Sequence, residues 1–360
     1  MLIFLVALII AAGFLQWQSL KDPFSKLSFK TRTTVRTADP DEPFKIECTL
    51  KNESWIPRSW VRCAWLLPPR TTVDEERSSG SDFKVIPPPV PSEPVVVKSS
   101  CFLRPHGERT TTIWASCPSR GLFRLARARV VCGDFLGFTE REDTVACLGE
   151  VVILPRRAKN DPSLEALGGF LGEVSVRRFI MDDPVLTLGF REYTGREPMR
   201  MIAWKQSAQG RGLMVRKNDY TIEPAATVLL NVDFGTEAVD GAVIEECFCL
   251  ARSVCEKLEE NRIKYSFITN CSGSLTYAGE GMGKAHLMSI LESLGRATHT
   301  CTEPMQATFQ RAINSSDSGR CHIIITPNDT EQLRALNEQL AHRTQAANYV
   351  IVAHKSEEEE

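Results

Sequence analysis

The stretch "ATVLLNVD", Ala226 to Asp233, is almost continuously apolar and ends on an amide and a carboxylate. A run of this kind reads as a strand covered on both faces, as in a parallel sheet. Downstream, Val243, Cys247, Leu250, Val254 and Leu258 recur at helical spacing and share one face. "KYSFIT" (Lys264 to Thr269), helical stretches around His286 to Leu294 and Met305 to Ala312, "CHIIIT" (Cys321 to Thr326), a helix carrying Leu333, Leu336 and Leu340, and "NYVIVA" (Asn348 to Ala353) continue the series. Strands alternating with helices, joined by right-handed crossovers, predict a three-layer α/β domain over residues 176–354. Residues 355–360 read as a solvated acidic tail.

Upstream the period changes to two. Phe44, Ile46, Cys48 and Leu50 alternate with polar residues, and Val61, Cys63, Trp65 and Leu67 repeat the pattern. With "TTTIWAS", "LFRL" and "VVIL", these runs predict an antiparallel β-sandwich over residues 27–155. Within it, Arg70 to Ser92, containing "RSSGSD" and "PPPVPS", reads as a long exposed loop. Residues 156–175 read as a linker. Two domains are also what 360 residues imply. Residues 1–20 open with the apolar run Leu2 to Leu15, have no charged side chain before Lys21, and are followed by Lys21, Lys26, Lys30 and Arg32. This reads as an uncleaved transmembrane anchor in preference to a signal peptide, which would carry a basic start and a small-residue cleavage site. The basic flank then keeps the body on the cytoplasmic side of the cell membrane in a single-pass arrangement. A net charge of -2 argues against a nucleic-acid-binding protein.

Twelve cysteines include no C-x-x-C pair, and several fall on apolar faces, where a thiol behaves as a small hydrophobe. Asp233 at the end of the first α/β strand and Asp329 after the "CHIIIT" strand are candidate ligands for Mg²⁺. They are degenerate candidates, because a von Willebrand factor A loop would place serine hydroxyls where Gly235 and Glu237 stand. The expectation is therefore that no cofactor is held, with Asp233 capping a helix or closing its loop. "DFG" at 233–235 lacks every other kinase motif, and "AGEGMGKA" at 278–285 lacks the first glycine and the final hydroxyl of a phosphate loop. The latter reads as a turn before a helix. Six scattered histidines define no nucleophile and base pair, leaving a hydrolase as the least supported class.

"GFREYTGREPMRMIAWKQSAQGRGLMV", Gly189 to Val215, is too polar for a core and too aromatic for an ordinary loop. Pro198 suits a helix start, with Met199, Ile202, Ala203 and Gln206 on one side and Arg200, Trp204 and Ser207 on another; Gly210 and Gly212 end it, and "LMV" begins a strand leading into the sheet. Two readings stand side by side. In one, Trp204 packs beneath a guanidinium of Arg191 or Arg200 as a structural lid. In the other, arginine and tryptophan are exposed and form a docking hot spot.

The same residues carry a resemblance. Arg191, Glu192, Tyr193, Gly195, Arg200, Ile202, Trp204, Ser207, Ala208, Leu213 and Val215 resemble the signature of the bacterial family called domain of unknown function 58. "RGLFRLARARVVCGDFLGF" (Arg120 to Phe138) and "LKNESWIPRSWVRCAWLLP" are similar to its upstream strands and turn. Arg196 stands where the family has aspartate, and Gln209 where it has arginine. The resemblance implies a membrane-anchored β-sandwich followed by a von Willebrand factor A-like domain. It further implies a non-enzymatic adaptor or scaffold working with a MoxR-type AAA+ ATPase or its client. Family members often have two membrane spans, whereas this chain offers one short segment. The candidate interaction residues are Arg191, Glu192, Tyr193, Arg200, Trp204 and Lys205. The alternative is a Mg²⁺-dependent ligand-binding domain using Asp233 and Asp329.

Overall fold

A computed structural model describes residues 2–21, 24, 26–134, 138–158, 187–195, 199, 202–209, 212–218, 225–235, 240–315, 320–346 and 348–355. Two compact units emerge, Met1–Arg156 with Leu294–Arg296, and Arg157–Ser293 with Ala297–Glu360. The expected linker lies mostly outside the described residues, as do Arg200, Arg196, Pro198 and the last residues of the tail.

The first unit begins with helix α1 (Leu2–Lys21). Ile3, Phe4, Leu5 and Val6 are consecutive and all exposed, so apolar side chains project around the whole circumference. The apolar run Leu2–Leu15 extends about 21 Å at 1.5 Å per residue, against roughly 30 Å of hydrocarbon in a bilayer. Among the described residues no helix is long and apolar enough to cross a membrane.

Ten strands follow in two sheets: β1 (Leu27–Thr33), β2 (Thr37–Ala38), β3 (Phe44–Asn52), β4 (Arg58–Leu67), β5 (Thr72–Ser79), β6 (Lys84–Ile86), β7 (Val95–Leu103), β8 (Glu108–Ser116), β9 (Gly121–Gly133) and β10 (Glu140–Ile153). One sheet runs β1-β3-β8-β5 and the other β2-β10-β9-β4-β7-β6, with antiparallel pairing throughout except between β2 and β10. Alternation puts Phe44, Ile46, Cys48, Leu50, Cys63, Trp65 and Leu67 into one apolar cluster between the sheets. Burial pushes the Cys48 thiol up to about 12, so it serves as a hydrophobe rather than as a nucleophile. The Arg70 to Ser92 segment is not a plain loop: it contributes β5 and β6, one at the edge of each sheet.

The β9–β10 turn is closed by Asp134. Its carboxylate accepts from Phe138 N and Thr139 N at 2.9 Å, Thr139 Oγ1 at 2.6 Å, and Gln16 Nε2 of α1 at 2.8 Å. Burial alone would raise its pKa; these donors outweigh it and hold the carboxyl below its usual range. Beside it, Gly133 is required by close approach, since a Cβ there would lie 2.5 Å from Trp60 Nε1.

The second unit contains a two-stranded ribbon, β11 (Thr187–Glu192) and β12 (Met214–Asn218), and a five-stranded sheet. The sheet order is β15 (Tyr277–Gly281), β14 (Lys264–Thr269), β13 (Ala225–Leu230), β16 (Cys321–Thr326), β17 (Asn348–Val352), parallel except for β15. The helices are α2 (Trp204–Ser207), α3 (Gly241–Glu260), α4 (Lys284–Arg296), α5 (Met305–Ser315) and α6 (Glu331–Thr344). Asp240 caps α3 through Ala242 N, and Thr330 caps α6 through Leu333 N. Leu229, Ile268 and Ile324 pack with Met305, Phe309, Leu333 and Leu340, placing α5 and α6 on one face. Val228, Phe267 and Ile323 alternate with these and are buried toward the opposite face, and the buried stripe of α3 includes Cys247, Phe248 and Val254. Strict alternation fails twice: β15 follows β14 directly, and α5 follows α4. The 278–285 segment is thus largely the strand β15, with its turn at Met282 and Gly283.

Candidate functional site

The motif segment is built on the ribbon. Arg191 pairs with Val215 and Glu192 with Met214, and a bridge joins Ile202 to Val215. Tyr193 N donates to Leu213 O at 2.8 Å and Ala203 N to Met214 O at 2.8 Å. Ser207 ties the turn to the strand: its Oγ donates to Ala203 O at 3.0 Å and accepts from Met214 N at 2.9 Å. Ser207 is a pinning residue that was not among the candidates, though its fixed place in the motif signalled it. The strand "LMV" begins does not enter the main sheet; β12 pairs with β11. The described helix is a single turn, and of the residues expected to share one of its sides Met199 is 68% exposed whereas Ile202 and Ala203 are buried.

Ile202, Ala203 and Val215 are buried, and they back a surface on which Trp204 is 60% exposed. Phe190, Leu213, Arg191, Glu192, Lys205 and Arg216 are exposed too, while Tyr193 is half-buried. The packed layer fixes the backbone, and the large side chains project from it. Alternation puts Phe190, Glu192 and Arg216 on one face of the ribbon and Arg191 with Val215 on the other, and an exposed indole at the adjoining turn beside cationic groups can desolvate against a protein partner. Among the sequence candidates Arg200 falls outside the described residues. The structural-lid reading turns in part on Arg200, outside the described residues, while Trp204 itself is 60% exposed.

The second candidate is the carboxyl edge of the five-stranded sheet. From β13 the chain crosses to β14 on one side, while β16 lies on the other, so the crevice between the ends of β13 and β16 is a topological switch point. Amides fill it. Asn270 Nδ2 donates to Asn231 Oδ1 at 2.8 Å, Val232 N donates to Asn270 Oδ1 at 2.9 Å, and Asn231 Nδ2 reaches Thr326 Oγ1 at 3.2 Å. Asp233 accepts from Gly235 N at 3.0 Å and from Met305 N, the first residue of α5, at 2.9 Å. It therefore closes its own loop and caps α5 rather than α3. Asp329 is held by Arg334 at 2.7 Å, a hydrogen-bonded ion pair that lowers its pKa. Among the described residues no group of three or more His, Cys, Asp and Glu could hold a metal ion.

No protein-family model and no curated protein matches the chain. Solved structures share limited likeness. A CARDB domain from Pyrococcus furiosus is 11% identical with a TM-score of 0.22, covering 36% of this chain and 87% of that one. A type II cohesin domain from Acetivibrio cellulolyticus is 10% identical with a TM-score of 0.25, covering 36% and 95%. The yeast delta-COP-I μ-homology domain is 11% identical with a TM-score of 0.22, covering 36% and 53%. At these scores the likenesses carry no argument about function, and the architecture stands on its own strand pairing.

Proposed function

We propose that the chain is a non-enzymatic adaptor or scaffold, whose α/β unit docks a partner protein through the segment from Phe190 to Leu213. The observation that carries this reading is the exposed Trp204 standing on the buried Ile202, Ala203 and Val215. The resemblance to the domain of unknown function 58 family names the partner class: a MoxR-type AAA+ ATPase or its client, met by a von Willebrand factor A-like domain. The engagement of Asp233 and Asp329 by backbone amides and Arg334 favours this reading over a Mg²⁺-dependent one.

The expected result is that Trp204→Ala weakens capture of the ATPase or client at least about tenfold while changing folding stability by less than about 0.5 kcal/mol. Capture measured from detergent-solubilised membranes checks it. Undiminished capture by that variant, or the recovery of no ATPase or client by the unaltered chain, refutes the reading.

In this account α1 holds the protein at the cell membrane, with the body on the cytoplasmic side. Its support is the exposure of Ile3, Phe4, Leu5, Val6, Ile9 and Phe14 on α1 and the Lys21, Lys26, Lys30 and Arg32 flank. The chain is expected to float with lipid vesicles, and a variant lacking residues 2–15 is expected to stay at the bottom of the gradient. Equal flotation of the two would assign membrane contact elsewhere.

A further inference from the structure

Twelve cysteines are present, and the described structure holds all of them as thiols. Most are buried in apolar surroundings, with Cys48, Cys63, Cys101, Cys132 and Cys147 near one another in the sandwich and Cys247 near Cys271. Cys271, just beyond the end of β14, and Cys301, in the loop before α5, face each other directly in an isolated antiparallel bridge. The flanking hydrogen bonds define the type of pair. Ser272 N donates to Thr300 O at 2.8 Å and Thr302 N donates to Asn270 O at 2.8 Å, so the bonds lie on either side of the two cysteines and not between them. In such a non-hydrogen-bonded pair the opposed Cα atoms lie about 4.5 Å apart and the side chains leave the same face. That separation falls inside the range a disulfide spans, roughly 4.4–6.8 Å between Cα atoms.

Their surroundings give the two sulfurs different roles. Cys301 is exposed, whereas Cys271 is fully buried, with Thr269 Oγ1 at 2.9 Å from its Sγ. An accessible thiol backed by a shielded one is the arrangement in which an attacking cysteine is followed by a resolving cysteine. The position matters as well. Cys271 follows Asn270, whose amide holds Asn231 and Val232 just beyond β13, beside the switch-point crevice, and Cys301 precedes Met305, whose N–H is capped by Asp233.

We propose that Cys271 and Cys301 form a reversible disulfide that clamps the α5 entry loop onto the end of β14 and so fixes the crevice. The oxidant is a small-molecule disulfide of the glutathione class. The Cys301 thiolate attacks one sulfur of the small disulfide, forming a mixed disulfide and releasing one small thiolate. The Cys271 sulfur, losing its proton to water, then attacks Cys301 Sγ and expels the second small thiolate. Both protons lost by the cysteines end on the two small thiols, the protein pair is oxidised by two electrons, and the small disulfide is reduced by two. An excess of small thiol runs the exchange backward.

The test equilibrates the full chain in glutathione buffers of graded oxidised-to-reduced ratio, traps free thiols by alkylation, and maps cross-linked peptides by mass spectrometry. The expected product links the peptides of Cys271 and Cys301, two hydrogens lighter, and disappears on reduction. Cys301→Ser, a change at an exposed position, is expected to abolish it while the protein melts as before. A second readout is amide hydrogen exchange at Ser272 and Thr302, expected to slow roughly tenfold on oxidation. The proposal is overturned if Cys301 remains glutathione-linked with Cys271 reduced, if Cys301 pairs with Cys247 or Cys249 instead, or if the linked form exchanges as fast as the reduced one.

Discussion

Trp65→Ala is expected to destabilise the β-sandwich by about 3–5 kcal/mol, the largest single-residue effect foreseen in the first unit. Trp65 is only 1% exposed and stands in β4 between Val97 of β7 and Ala128 of β9, so its ring fills the space between the sheets. Its Nε1 finds no hydrogen-bond partner, so truncation leaves no acceptor stranded and the cost is transfer plus cavity. Trp65→Phe retains most of the apolar volume and is expected to cost about 1–2 kcal/mol. Scanning calorimetry of the full chain checks both, with the alanine variant's sandwich transition lowered by roughly 10 °C. A loss under 1 kcal/mol would mean that the two sheets do not close on this ring.

Acid should weaken the second unit through His322. The imidazole is fully buried in β16, between Thr227 of β13 and Asn348 of β17. Burial disfavours its charged form and the Arg320 charge repels it, against opposing hydrogen bonding of the ring to Asn348 and to the Arg320 backbone, and the balance pushes the pKa down to about 4. In the unfolded chain the same group takes a proton near 6.5, so below that pH the unfolded state binds more protons than the folded one. Stability is therefore full above about 6.5, falls by about 1.4 kcal/mol per unit as the pH drops, and has lost about 3 kcal/mol once it passes below 4. Urea unfolding between pH 7 and 4 checks it. The slope over 6.5 to 5 should flatten in His322→Gln, whatever that variant does to stability at pH 7. A parallel slope in the two proteins would refute the assignment to His322.

How far the sequence could be read depends on which interactions hold each element. β14 and β16 coincide with "KYSFIT" and "CHIIIT" because strands covered on both faces need apolar side chains at nearly every position. β3 and β4 are equally plain, since one face of each enters the cluster around Trp65 and the alternation records it. β5 and β6 were hidden, because strands at a sheet edge with both faces largely exposed show no alternation, and prolines beside them read as loop. The ribbon of β11 and β12 rests on pairing between residues far apart in the chain, which local periodicity does not report. In the candidate site, Trp204 and Lys205 were legible as residue types and the exposure is a finding of the structure. The role of Ser207 as a pin and of Asp134 as a turn closure each depend on a backbone amide supplied by the fold, so neither could be read from residue type alone.

The account rests on the ribbon and its short turn forming a contact surface. A photoreactive residue placed at position 204, and in separate preparations at Phe190, Leu213 and the exposed Leu275 of the same unit, reports that contact directly in membranes holding the full chain. The account predicts covalent adducts with an AAA+ ATPase or its client from 190, 204 and 213 and none from 275. Adducts from 275 alone, or none from 204, would contradict it.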